Sequence, residues 1–176
     1  IMSKKNLFII IAIFWLVIIG SFIAYKEFVL KTGDEILLKT LPIDPRDLFR
    51  GDYVILRYEI STISAGSLAS PILESKEGDK IYIELNIDNN NVATMADISR
   101  HKPNSAHFLK GTIKNVTSSN KLTIEYGIES YFVPEGEGKA IEKSMRKGEV
   151  YAKVVVDDFG NATLKALLLD GKEIRF

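Results

Sequence analysis

Hydrophobic and polar positions divide this chain into one long uncharged block followed by short alternating runs. From Leu7 to Tyr25, "LFIIIAIFWLVIIGSFIAY" carries no charge, and its first thirteen residues are all apolar. At ~1.5 Å per residue a helix of this length spans about 28 Å, close to the hydrocarbon thickness of a bilayer. A core helix of a soluble domain is rarely so uniformly apolar, and a helix lying on lipid would show a polar face. A cleaved signal has a shorter apolar region and a small-x-small exit, whereas the exit here is the bulky "FIAYKEF". The pattern therefore predicts a retained transmembrane anchor over 7–25, in contact with membrane lipid. Tyr25 and Lys26 suit its far interface. Lys4 and Lys5 place residues 1–6 in the cytoplasm by the positive-inside rule. Residues 26–34 then read as a linker and 35–176 as an extracytoplasmic domain.

Beyond the anchor the period falls to two. In "IYIELNI", Ile81, Ile83, Leu85 and Ile87 share one face and Tyr82, Glu84 and Asn86 the other. "DNNN" at 88–91 is a turn signal, and "VATMADI" is expected to return antiparallel. "TSSN" separates a second pair of strand-like runs and "DDFGN" a third, while Asp170-Gly171 suits a tight turn into "KEIRF". One helix is expected near 137–147, where Ala140, Ile141, Ser144 and Met145 form the less polar stripe and Gly148 marks the stop. The expected fold class is mainly β (α+β): a transmembrane helix followed by a compact barrel-like or sandwich domain with one short helix.

The stretch "PIDPRDLFRGDYVILRYEI", 42–60, combines a charged approach with an alternating run. Alternation places Val54, Leu56, Tyr58 and Ile60 on a core face, with Tyr53, Ile55, Arg57 and Glu59 opposite. Gly-Asp also precedes the runs at 33 and 78, so Gly51 and Asp52 read as a strand entry, glycine supplying backbone freedom and aspartate accepting from nearby N–H groups. Pro42 and Pro45 stiffen the approach. Asp44, Arg46, Asp47 and Arg50 either neutralise one another or form a grip. In the second case the two guanidinium forks would bind a carboxylate, a phosphate or a partner.

Charge removes several functions from consideration. The formal net charge is zero, with 23 basic and 23 acidic residues. Residues 1–31 hold Lys4, Lys5, Lys26 and Lys31 against Glu27, so the remainder is mildly acidic. Such a domain is a poor match for nucleic acid, which demands phosphate neutralisation. There is no cysteine, hence no disulfide, thiol nucleophile or thiolate-bound zinc. His101 and His107 lack the helical spacing of a metal hydrolase, so neither a metal nor another cofactor is expected. Glu135 and Glu137 in "PEGEGK" read first as carboxylates leading into a helix. An acid/base pair or a pair of cation ligands is the other reading.

"GDYVILRY" carries a family resemblance. Gly51, Asp52, Tyr53, Leu56 and Tyr58 fit, position by position, the pattern that names the GDYXXLXY family of membrane-anchored bacterial proteins of unassigned function. "PIDPRDLFR" and "YFVPEGEGKAIEK", with Pro134, Glu135, Gly136, Glu137 and Gly138, resemble that family too. The resemblance implies a single-pass envelope protein, often encoded beside polytopic membrane proteins, and supplies no reaction. The layout also resembles type I signal peptidases, but no serine lies between Lys26 and Arg50, where their nucleophile would be sought. The functional expectation is thus a non-catalytic binding or assembly module for a polytopic membrane protein or an envelope component. The rivals are an envelope hydrolase using Asp44, Asp47, Asp52 or Glu135, and a sensor of an anionic ligand gripped by Arg46 and Arg50.

Overall fold

The computed structural model describes residues 4–41, 53–64, 72, 75–117, 121–132 and 148–174. The chain forms two compact units, Ile1–Gly33 and Asp34–Phe176. The first is a single helix, α1 (Lys4–Thr32). It is long and apolar enough to cross a membrane. Residues 26–32, read from sequence as part of a linker, are helical. Lys26, Glu27 and Lys31 favour helix, and Glu27 and Lys31 pair one turn apart at 3.1 Å. Closure follows at once: the Thr32 hydroxyl donates to the Phe28 carbonyl and the Gly33 N–H to that of Val29.

The second unit is mainly β over its described residues. Its first strands are β1 (Asp34–Leu41), β2 (Tyr53–Ile55), β3 (Arg57–Tyr58) and β4 (Thr62–Ser64). Longer strands follow as β5 (Lys80–Ile87), β6 (Val92–Ser99), β7 (Phe108–Val116) and β8 (Lys121–Glu125). The last are β9 (Ser130–Phe132), β10 (Val150–Val156), β11 (Ala162–Leu169) and β12 (Lys172–Glu173). One large sheet runs β12–β11–β10–β1–β6–β5–β7–β8–β4, with β3 also pairing with β1, and a separate ribbon joins β2 to β9. β1 lies antiparallel to β10 and parallel to β6, which makes the sheet mixed.

The expected hairpins form where turn chemistry marked them. The Asp88 carboxylate accepts from the N–H groups of Asn90 and Val92, and Asn91 takes φ +61, a left-handed value asparagine tolerates. Asp170 and Gly171 both adopt positive φ, as a primed hairpin turn requires. The barrel-like alternative does not hold, because the sheet stays open. The segment 57–64 bonds to β1 only as far as Tyr58 and to β8 only from Thr62, with a 3₁₀ turn at Glu59–Ser61 between. The helix expected over 137–147 lies outside the described residues.

The core face is the one the alternation indicates. Ile36 and Leu38 from β1 and Ile81, Ile83 and Leu85 from β5 are buried in a single cluster with Leu122 and Ile124 from β8. Each such side chain contributes about 1.5–3 kcal/mol by leaving water. Thr40 is buried among them and its hydroxyl donates to the Val150 carbonyl, locking the end of β1 to β10.

Candidate functional site

The densest sequence motif forms no single strand. Tyr53–Ile55 pairs with β9, in the register Tyr53↔Phe132, Val54↔Tyr131 and Ile55↔Ser130. Leu56 leaves the ribbon but still donates its N–H to the Glu129 carbonyl at 2.7 Å. Arg57 and Tyr58 then pair with Leu41 and Thr40 of β1. Burial nevertheless keeps its period of two across these changes of partner. Val54, Leu56, Tyr58 and Ile60 are buried, Ile55 is half-buried, and Arg57 and Glu59 are exposed.

Two tyrosines hold this segment against the β8–β9 connection. The Tyr58 hydroxyl donates to the Ile128 carbonyl at 2.5 Å, and the Tyr126 hydroxyl donates to the Ile60 carbonyl at 2.6 Å. Their rings meet edge to face with centroids 6.5 Å apart. Below them the Glu129 carboxylate accepts from the N–H groups of Tyr126 and Gly127, and Gly127 takes φ +81 to make the corner. Burial, aided by the Glu129 charge, pushes both phenols far above their ordinary value. These hydroxyls therefore stay protonated and act as structural donors.

Beside this clasp lies a cleft of about 170 Å³, lined by Ile55, Leu56, Arg57, Ser61, Thr123, Ile124, Glu125 and Glu129. Its two carboxylates are already engaged. Glu125 pairs with Lys114 at 3.1 Å, and Glu129 serves the backbone. A second cleft of about 250 Å³ opens between the 3₁₀ turn with β4 and β6, where Glu59, Thr62 and Thr94 face Ile60, Ile63, Ala93 and Met95. His101 and His107 are exposed, and His107 Nδ1 stands 3.5 Å from an Asp34 oxygen. Among the described residues no three His, Asp or Glu side chains gather as metal ligands.

Asp44, Arg46, Asp47, Arg50, Gly51 and Asp52 lie outside the described residues, as do Pro134, Glu135, Gly136, Glu137 and Gly138. The positions at which those segments join the sheet are described, and they coincide. Asp52 precedes Tyr53 directly, Val133 follows Phe132 directly, and Tyr53 and Phe132 are register partners. Antiparallel partners have Cα atoms about 4.5–5.5 Å apart. The charged approach to the first motif and the start of the second thus meet the ribbon at one end. Sequence reasoning missed Tyr126, Glu129 and β9. The available signal was Gly127, which interrupts the alternating run "KLTIEYGIESYF" at the corner the clasp needs.

A family model described as GDYXXLXY protein matches residues 15–167. No curated protein and no solved structure matches the chain.

Proposed function

The chain belongs to the GDYXXLXY family, a family of unknown function, and from that membership we propose a membrane-tethered binding module whose working end is the Tyr53–Phe132 end of the β2–β9 ribbon. α1 is its retained single-pass anchor in a bacterial cell membrane, with Lys4 and Lys5 on the cytoplasmic side and the β unit outside. The partner is a polytopic membrane protein or an envelope component. Arg46 and Arg50 supply the grip, flanked by Asp44 and Asp47.

One observation carries this reading: the Tyr53↔Phe132 register gathers both motif segments at one end of the ribbon. Leu56 and Tyr58 are spent on the core, so these two motif residues have no chemistry left to offer a partner. The test is co-purification of the full chain from its native membrane in mild detergent. Arg46→Ala with Arg50→Ala is expected to lose a polytopic partner while the β unit melts as wild type. Unchanged capture by a folded double variant would overturn the assignment.

A further inference from the structure

Outside α1, Phe159 and Val116 are the exposed large apolar side chains among the described residues, and Phe159 is the more open at 62%. An aromatic ring at a turn tip loses favourable burial unless something covers it. The turn that presents it is firmly built. The Asp157 carboxylate accepts from the N–H groups of Phe159 and Asn161 and from the Asn161 side-chain amide. Gly160, at φ +79, lies against the Phe108 ring and accepts from the Lys110 N–H at 2.8 Å. The Lys102 ammonium stands 5.3 Å from the Phe108 centroid and 5.7 Å from that of Phe159, and donates to the Asp158 carbonyl. Ring and cation are therefore held side by side.

The place of this pair in the fold names its partner. Val156, the last residue of β10, is the register partner of Asp34, the first residue of β1. Asp34 follows Gly33 and the end of α1 directly. Two peptide links separate it from Thr32, a reach of about 7 Å at most. The seven residues from Lys26 to Thr32 add about 10 Å of helix beyond the uncharged run. A headgroup layer is roughly 5–8 Å thick on each side of the hydrocarbon. The 157–161 turn thus stands at the same end of the sheet as Asp34, the residue through which the β unit is joined to α1. The contact between His107 and Asp34 places the β6–β7 loop, which carries Lys102, at that end as well.

We propose that this turn docks on the bilayer surface, with Phe159 entering the lipid interface and Lys102 meeting a lipid phosphate beside it. Aromatic rings favour that layer, and an ammonium has further donors beyond the one on Asp158. Asp34, Asp157 and Asp158 at the same end oppose an attraction to strongly anionic lipid, so ring insertion supplies the affinity and zwitterionic phosphatidylcholine suffices. The docking rests on α1 being a bilayer anchor, and the experiment separates the two ideas.

The full chain is placed in phosphatidylcholine nanodiscs with acyl chains brominated near the headgroup, and separately in discs brominated near the chain ends, the depth at which Trp15 is read. Wild type reports through Trp15, its single tryptophan. Two reporters are built on Trp15→Phe: Phe159→Trp, and Val116→Trp at the opposite end of β7, about 26 Å along the strand from Phe108. The expected result is bromine quenching and a blue shift for F159W, with V116W unquenched. F159W quenched no more than V116W, while Trp15 is quenched, overturns the docking and leaves the anchor standing. A blue-shifted but unquenched F159W means that protein covers the ring, and also overturns it. Absence of quenching at Trp15 removes the anchor and the docking together.

Discussion

Tyr58 and Tyr126 are joined by a reciprocal exchange: each hydroxyl donates to the carbonyl two residues beyond the other ring, Tyr58 to Ile128 and Tyr126 to Ile60. The exchange fastens the interrupted strand to the β8–β9 connection at the place where the sheet stops short of closing. It also gives the last tyrosine of the family motif a physical task. Removing either hydroxyl leaves a buried carbonyl without its donor. Tyr58→Phe and Tyr126→Phe should each cost about 1–3 kcal/mol, read from urea unfolding of the full chain in mild detergent. Because the rings touch, the double variant should depart from additivity by about 0.5 kcal/mol or more. Wild-type midpoints for both single variants would deny the clasp any role in stability.

Within the same motif, adjacent residues should behave oppositely. Leu56 is 1% exposed, and Leu56→Ala should lose about 2–5 kcal/mol through transfer and cavity effects. Arg57 faces solvent, and Arg57→Ala should stay within about 0.5 kcal/mol of wild type. Equal losses at the two positions would contradict the observed alternation.

Two glycines separate backbone strain from crowding. A Cβ on Gly160 would stand 2.7 Å from the Phe108 ring at φ +79, whereas Gly78, at φ +90, faces open space. Gly78→Ala should cost about 1 kcal/mol from φ alone, and Gly160→Ala more, up to about 3 kcal/mol. Thermal melts of the two variants give the order, and a Gly78→Ala loss equal to that of Gly160→Ala would refute the crowding.

The Glu35 carboxyl sits below its ordinary 4.5, chiefly through the hydrogen bond from Lys165; desolvation opposes it, and the Lys153 and Lys165 charges lower it further. A carboxyl depressed in the folded state stabilises above its unfolded value and loses that contribution as pH falls through the folded one. The Glu35 contribution should therefore be level from pH 7 to 5 and fade below 4.5. Urea midpoints of wild type and Glu35→Gln should converge toward pH 3. A gap that widens on acidification would reverse the sign.

The anchor reading predicts a topology. Protease added to intact spheroplasts should remove a tag placed after Phe176, and the intact mass should still include Leu7 to Tyr25. Protection of the tag until lysis would invert the orientation, and a mature chain beginning near Lys26 would make the helix a cleaved signal.

Local pattern was enough for much of this protein. An uncharged run from Leu7 to Tyr25 has no stable soluble arrangement except burial, so α1 was legible. The β5–β6, β7–β8 and β10–β11 hairpins join neighbouring runs through residues such as Asp88 and Gly160, whose conformational preferences act within a few positions. The buried face of Val54, Leu56, Tyr58 and Ile60 was legible for the same reason, since a period of two survives any choice of partner strand. Partner choice itself belongs to tertiary structure. Nothing near Leu37 announces a parallel neighbour at Val92, and nothing near Tyr53 announces Phe132. The break at Glu59–Ser61 and the bond from Tyr58 to a carbonyl 70 residues away have the same origin. Turn chemistry and alternation are short-range energies written in adjacent residues. Register between distant strands is chosen by the whole domain, through the one arrangement that buries all the apolar faces and pairs their backbone groups at once.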